Sequence, residues 1–339
     1  MMNNSARTAP RRRFLRAAIA AIALGGAVMT APSAAWARPG VGAAAIASAS
    51  TATDQTTYHT RVVDGLRLFY REAGPPTAPT IVLLHGFPAS SYMYQDLITR
   101  LAGRYHLIAP DYPGFGYSDA PSADRFAYTF DHLSLVIEHL LRDLSATRFS
   151  LYIQDYGAPI GLRIALRHPD WVQAIVTQSG NAYDEGLTPF WTPIRAYWRD
   201  RTPATEAPLR GLFTRATTHL QYTYGMRHPE RVSPDGEALD QSLLDRPGNA
   251  AIQLALFYDY RTNVALYPAF HAYFRRYQPP TLVVWGKNDP IFGPAGARAF
   301  ARDLPRAEVH LLDSGHFALG EDTDVIAAYM RLFLAARAS

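Results

Sequence analysis

Three residues of this chain have the types and positions to do chemistry together. They are Asp155 in LYIQDYGAPIGLRIAL (Leu151–Leu166), Asp289 in GKNDPIF and His316 in SGHFALGED. Each follows an apolar run that reads as a strand, FSLYIQ, TLVVWG and AEVHLLD respectively, and open α/β sheets bind ligands beyond the carboxyl ends of their strands. A carboxylate is already ionised at neutral pH. It can attack a saturated carbon without prior deprotonation, opening a strained ring or expelling a leaving group, and the product is an alkyl ester of Asp155. An imidazole oriented by a second carboxylate is the group that would activate water against that ester. Singly, each residue has a plain structural reading: Asp155 as a helix N-cap, Asp289 before Pro290 as a turn residue, His316 after Gly315 as a surface-loop histidine. Their chain order and shared placement at strand ends favour the joint reading.

The elements that must hold these residues alternate from about residue 58. HTRVVDGLRLFYREAG reads as a hairpin turning at Asp64-Gly65. TIVLLHG is a buried strand, and SSYMYQDLITRLAG a helix ending at Gly103. FDHLSLVIEHLLRDL puts Leu133, Val136, Ile137, Leu140, Leu141 and Leu144 on one helical face. Apolar strands separated by helices predict an α/β fold, a mostly parallel sheet with both faces covered. The rhythm breaks at 181–278, rich in Tyr, Trp, Pro and Arg, with a helical stretch NAAIQLALFYDYRTNVALY; this reads as a helical cap inserted between late strands. The expected core is therefore 58–180 with 279–339. The alternative for the insertion is an independent second domain.

The first 37 residues have a different character. PRRRFLR (Pro10–Arg16), an apolar run to about Met29 and AWA (Ala35–Ala37) have the layout of a twin-arginine signal peptide cleaved after Ala37. An ordinary secretory signal or an uncleaved anchor is the alternative. Residues 38–57 are small and polar and read as a flexible lead-in. The expectation is an exported protein, periplasmic or extracellular, with no stable membrane insertion once the leader is gone. The leader also carries the charge. The whole chain is formally +4, whereas without residues 1–37 it holds 28 basic against 29 acidic residues, a net of −1. No basic stripe remains to bind nucleic acid. There is no cysteine, so neither a disulfide framework nor a thiolate metal site is available. The eleven histidines show no paired metal spacing, so neither metal nor cofactor is expected.

The order nucleophile, acid, histidine, on a strand–turn–helix, resembles the α/β-hydrolases, and an aspartate at the turn resembles their aspartate-nucleophile branch of epoxide hydrolases and haloalkane dehalogenases. The resemblance covers roughly Tyr58 to the C-terminus. It implies Asp155 as nucleophile, His316 as base and Asp289 as its orienting partner, with the oxyanion on the backbone N–H groups of Phe87 and Tyr156. HGFP (His85–Pro88) resembles the loop of epoxide hydrolases, and Phe87 lacks the side-chain donor by which dehalogenases hold halide. YRTN (Tyr260–Asn263) matches the family's cap tyrosine, and Tyr197 in IRAYW falls where its second tyrosine is expected. Either tyrosine could instead be packing. Against this, Ile153 and the run QDYGAPIGL are closer to dehalogenases, and Trp191 and Trp198 could contact substrate or halide. The resemblance thus implies water addition to an epoxide carried by a small apolar molecule. The alternatives are haloalkane hydrolysis by the same triad and a non-catalytic binding protein on a hydrolase scaffold.

Overall fold

The computed structural model describes residues 55–336; the expected leader, 1–37, and the lead-in up to residue 54 lie outside the described residues. Eight strands make one sheet: β1 (Thr57–Val63), β2 (Leu66–Ala73), β3 (Thr80–Leu84), β4 (His106–Pro110), β5 (Phe149–Gln154), β6 (Val172–Gln178), β7 (Thr281–Gly286) and β8 (Glu308–Leu312). Their order across the sheet is β1-β2-β4-β3-β5-β6-β7-β8. The β1–β2 hairpin turns at Asp64 and Gly65, whose φ angles of +50° and +79° are those of the tight turn that Asp-Gly favours. β2 also pairs antiparallel with β4, and every later pair is parallel.

Parallel strands buried on both faces carry apolar residues on both, and β3 divides them by the period of two. Ile81 and Leu83 pack into one core with α1 (Gln95–Leu101) and the C-terminal helix (Leu319–Ala335); Val82 and Leu84 pack into the other with α2 (Phe130–Asp143) and α3 (Gly157–Arg167). The predicted stripe of α2 is buried from Leu133 to Leu141, while the helix stops at Asp143 and leaves Leu144 half-buried at its end.

Between β6 and β7 the chain leaves the sheet for five helices: α4 (Thr192–Arg199), α5 (Pro203–Arg210), α6 (Arg215–Thr223), α7 (Pro234–Leu244) and α8 (Asn249–Tyr277). At 29 residues, α8 is about 43 Å long at 1.5 Å per residue. It continues past Tyr267 through Pro268, a residue that removes one ladder hydrogen bond and ordinarily marks a helix end. Two further helices, α9 (Pro294–Asp303) and α10 (Leu319–Ala335), complete the layers over the sheet. The insertion lies over the strand ends: its Phe213 and Phe257 rings meet Phe87 at 6.2 and 5.3 Å. Among the described residues no helix is long and apolar enough to cross a membrane.

Candidate active site

The turn from β5 into α3 is built to present one side chain. Asp155 has φ +47°, a left-handed conformation uncommon for a residue with a Cβ and a marker of functional strain. The helix can start so abruptly because Gly157 has no side chain: a Cβ there would stand 2.0 Å from the backbone oxygen of Leu84. Gly86 is the corresponding gap opposite, where a Cβ would meet Asp155 Cβ at 2.3 Å. Asp155 is only 5% exposed. It does not act as an N-cap: α3 has no side-chain cap, and Asp155 Oδ1 instead accepts the Phe87 N–H at 2.8 Å, with the Tyr156 N–H also on the carboxylate. Burial raises the carboxyl above its ordinary value, and His316 with the two N–H groups offsets part of that rise.

His316 is fully buried beside it. Its Nδ1 lies 2.9 Å from Asp289 Oδ2, while the other Asp289 oxygen accepts the N–H groups of Ile291 at 2.8 Å and Phe292 at 3.0 Å. Asp289 is therefore both the turn residue and the imidazole's partner, with both oxygens engaged. The arrangement assigns the proton to Nδ1 and leaves Nε2 as the basic atom. Burial would lower the His316 pKa, but Asp289 and then Asp155 outweigh it and the net shift is upward. Nε2 lies 3.9 Å from Asp155 Oδ2, close enough for charge attraction and too far for a hydrogen bond.

The aromatic residues divide unexpectedly. Tyr260 is buried in a box with Trp191 at 4.4 Å between ring centroids, Phe130 at 5.5 Å and Tyr156 at 6.1 Å. The hydroxyls of Tyr156 and Tyr260 are both buried; that of Tyr156 meets no hydrogen-bond partner, and that of Tyr260 meets only the Tyr267 hydroxyl, which adds to its upward pKa shift. Burial holds both phenols well above 10. Tyr197, expected to be the second acid, belongs elsewhere. Its hydroxyl accepts from Arg201 Nε at 2.9 Å and its ring packs edge-on to Tyr258. The tryptophans are also corrected as halide donors: Trp191 Nε1 donates to the Ile291 oxygen at 3.0 Å and Trp198 Nε1 to the Phe257 oxygen at 2.7 Å. An indole has one N–H, so both are spent, and the two rings pack on each other and on Tyr260.

Two glutamines that the motifs did not single out complete the arrangement. Gln154 and Gln178 lie opposite each other at the ends of β5 and β6. Gln178 Nε2 donates to the His316 main-chain oxygen at 2.8 Å, and Gln154 Nε2 lies 3.0 Å from the ring Nε2. The available signal was a glutamine closing a mostly buried strand.

Comparison with known proteins agrees with this geometry. The alpha/beta hydrolase fold family matches residues 79–323. An uncharacterized hydrolase of Saccharomyces cerevisiae is 45% identical over 271 residues, 79% of this chain and 92% of that one. A haloalkane dehalogenase of Mycolicibacterium paratuberculosis is 33% identical over 238 residues, 68% of this chain and 74% of that one. The solved structure of the epoxide hydrolase CorEH covers 83% of this chain and 99% of its own at a TM-score of 0.68 and 20% identity, a likeness of fold alone. With a family match over most of its length and relatives of this identity, the chain belongs to the α/β-hydrolase family, on its haloalkane dehalogenase-like side, and is a hydrolase.

Proposed function

We propose that this hydrolase adds water to an epoxide through a covalent ester of Asp155. Asp155 Oδ1 is held by the Phe87 N–H, so Oδ2 is the oxygen free to attack. Attack forms an Oδ2–carbon bond and breaks one carbon–oxygen bond of the three-membered ring. The oxygen released takes a proton from the phenol of Tyr260 or of Tyr156. Water then adds to the ester carbon while His316 Nε2 takes a proton, with Asp289 balancing the imidazolium. The charge that develops goes to Oδ1, which already accepts the Phe87 N–H and needs no reorganisation there. Collapse releases the diol, its leaving oxygen taking the proton from His316 Nε2, and the new Asp155 carboxyl returns its proton to the phenolate, so that both side chains are restored.

The observation carrying this reading is the state of the donors around the nucleophile. Two phenol hydroxyls are buried, Tyr156 with no partner and Tyr260 against the Tyr267 hydroxyl alone, while both indole N–H groups are committed to backbone carbonyls. A departing alkoxide needs a proton, which a neutral phenol supplies; a departing halide needs only a donor. The second reading, haloalkane hydrolysis by the same ester, is favoured by the dehalogenase relative. A paired screen separates them: diol formation from styrene oxide and halide release from 1-bromohexane, each repeated with His316→Gln. The expected result is diol from styrene oxide, and in the variant an intact mass raised by one substrate. Halide release with no diol would transfer the assignment to the second reading.

A further inference from the structure

The proton-accepting atom of His316 is already occupied. With Nδ1–H given to Asp289, Nε2 has a single in-plane lone pair, and the Gln154 amide nitrogen sits on it at 3.0 Å. The other end of that fully buried carboxamide, Oε1, has no hydrogen-bond partner. It lies over Gly86, where a Cβ would stand 2.3 Å from it. An unpaired buried carbonyl is costly, because it has given up water and gained no donor in return. Gln154 therefore reaches one atom of the hydrolytic machinery with its donor and leaves an acceptor unused within the same side chain, directly next to the nucleophile.

We propose that Gln154 is the positioning residue for the hydrolytic water. In the free enzyme its N–H covers His316 Nε2. In the ester the amide turns aside, and a water donates one hydrogen to Nε2 and the other to Gln154 Oε1. Two acceptors held in this way direct an oxygen lone pair at Asp155 Cγ. The water oxygen then bonds to Cγ as one proton moves to Nε2 and the carbonyl pair moves to Oδ1. Collapse breaks the bond from Cγ to the substrate oxygen, which leaves as the alcohol with the proton from Nε2. The new carboxyl gives up the water's second proton, to the phenolate left by epoxide opening or to solvent after halide loss, and is again the carboxylate. This role rests on the ester reading but is indifferent to whether an epoxide or a haloalkane forms it.

The test uses Gln154→Met, of similar length and without polar hydrogens, and Gln154→Glu as a second variant. A donor on the neutral Nε2 disfavours its protonation. The charged groups facing the ring are Asp289 and Asp155, and both remain in the variants. Titration of His316 by nitrogen-15 NMR should therefore give a pKa that rises from wild type to Gln154→Met and rises further in Gln154→Glu. In single turnovers of styrene oxide or 1-bromohexane, Gln154→Met should form the ester within about threefold of the wild-type rate and clear it at least tenfold more slowly, within the range expected for lost positioning. An unmoved pKa, or an ester cleared as fast as in wild type, overturns the role of Gln154. Failure to detect any ester, even in His316→Gln, overturns instead the reading on which it rests, and the titration still decides whether Gln154 holds Nε2.

Discussion

At the scale of residues, Asp155 divides its work between two oxygens. One accepts the Phe87 N–H, a donor that in the proposed reaction would hold the later oxyanion, and the other faces the imidazole at 3.9 Å without bonding to it. The carboxylate is thus kept nucleophilic rather than neutralised by a shared proton. In the proposed reaction a phenol of the insertion or of the nucleophile turn supplies the complementary proton, and substitution tests whether Tyr260 rather than Tyr197 does so. Tyr260→Phe should lower kcat/KM for epoxide opening by about 10²-fold, the lower range of general acid catalysis. Tyr197→Phe, which loses only its Arg201 contact, should stay within about threefold, the change appearing as a small drop in Tm. Equal losses of diol-forming rate in both variants would contradict the division. Asp155, Asp289 and His316 were legible in the sequence because each follows a strand whose apolar run is unmistakable. Tyr197, Trp191 and Trp198 were not. Whether a phenol or indole is free depends on which carbonyl or guanidinium the tertiary fold brings to it, and those partners lie on other elements.

At the scale of elements, two links join the insertion to the catalytic loops. Tyr222 of α6 stacks on Phe317, the residue after His316, at 4.4 Å. Asp240 of α7 is buried and accepts from Tyr222 and from Ser90, three residues beyond Phe87. Burial pushes Asp240 up to about 8, and Asp111 nearby acts in the same direction. The unfolded carboxyl titrates near 4, so between about pH 4 and 8 the folded protein binds the extra proton and stability falls as pH rises. Thermal unfolding of Asp240→Asn across this window should show a flatter dependence than wild type, the difference reaching at most about 1.4 kcal/mol per pH unit. Parallel curves would show that Asp240 titrates normally. This link could not be read from the sequence, where Asp240 has the appearance of an ordinary helix-surface acid. The length of α8 was also only partly legible: Pro268 is a stop by local rules, yet Tyr273 and Phe274 beyond it are buried in the same core, and tertiary packing carries the helix on.

At the scale of the whole molecule, the sheet supplies the strand ends and the insertion supplies the walls. The α/β class and the position of the insertion followed from the alternation of apolar runs and its interruption after β6; the way five helices close over the strand ends did not, because it depends on contacts between faces distant in sequence. Closure is nearly complete, with Asp155, His316 and Tyr260 all buried. In the proposed reaction, entry of a substrate would require side chains of the insertion to move, and the buried rings of Phe87, Tyr156, Trp191, Phe257 and Tyr260 would favour a small, largely apolar molecule. The central claim is the ester, and oxygen-18 water tests it most directly. After many turnovers of a substrate in labelled water, mass spectrometry of the peptide containing Asp155 should show one or both carboxylate oxygens exchanged, because the attacking water leaves its oxygen on the side chain. A peptide of unchanged mass, with the label found only in product, would contradict the account.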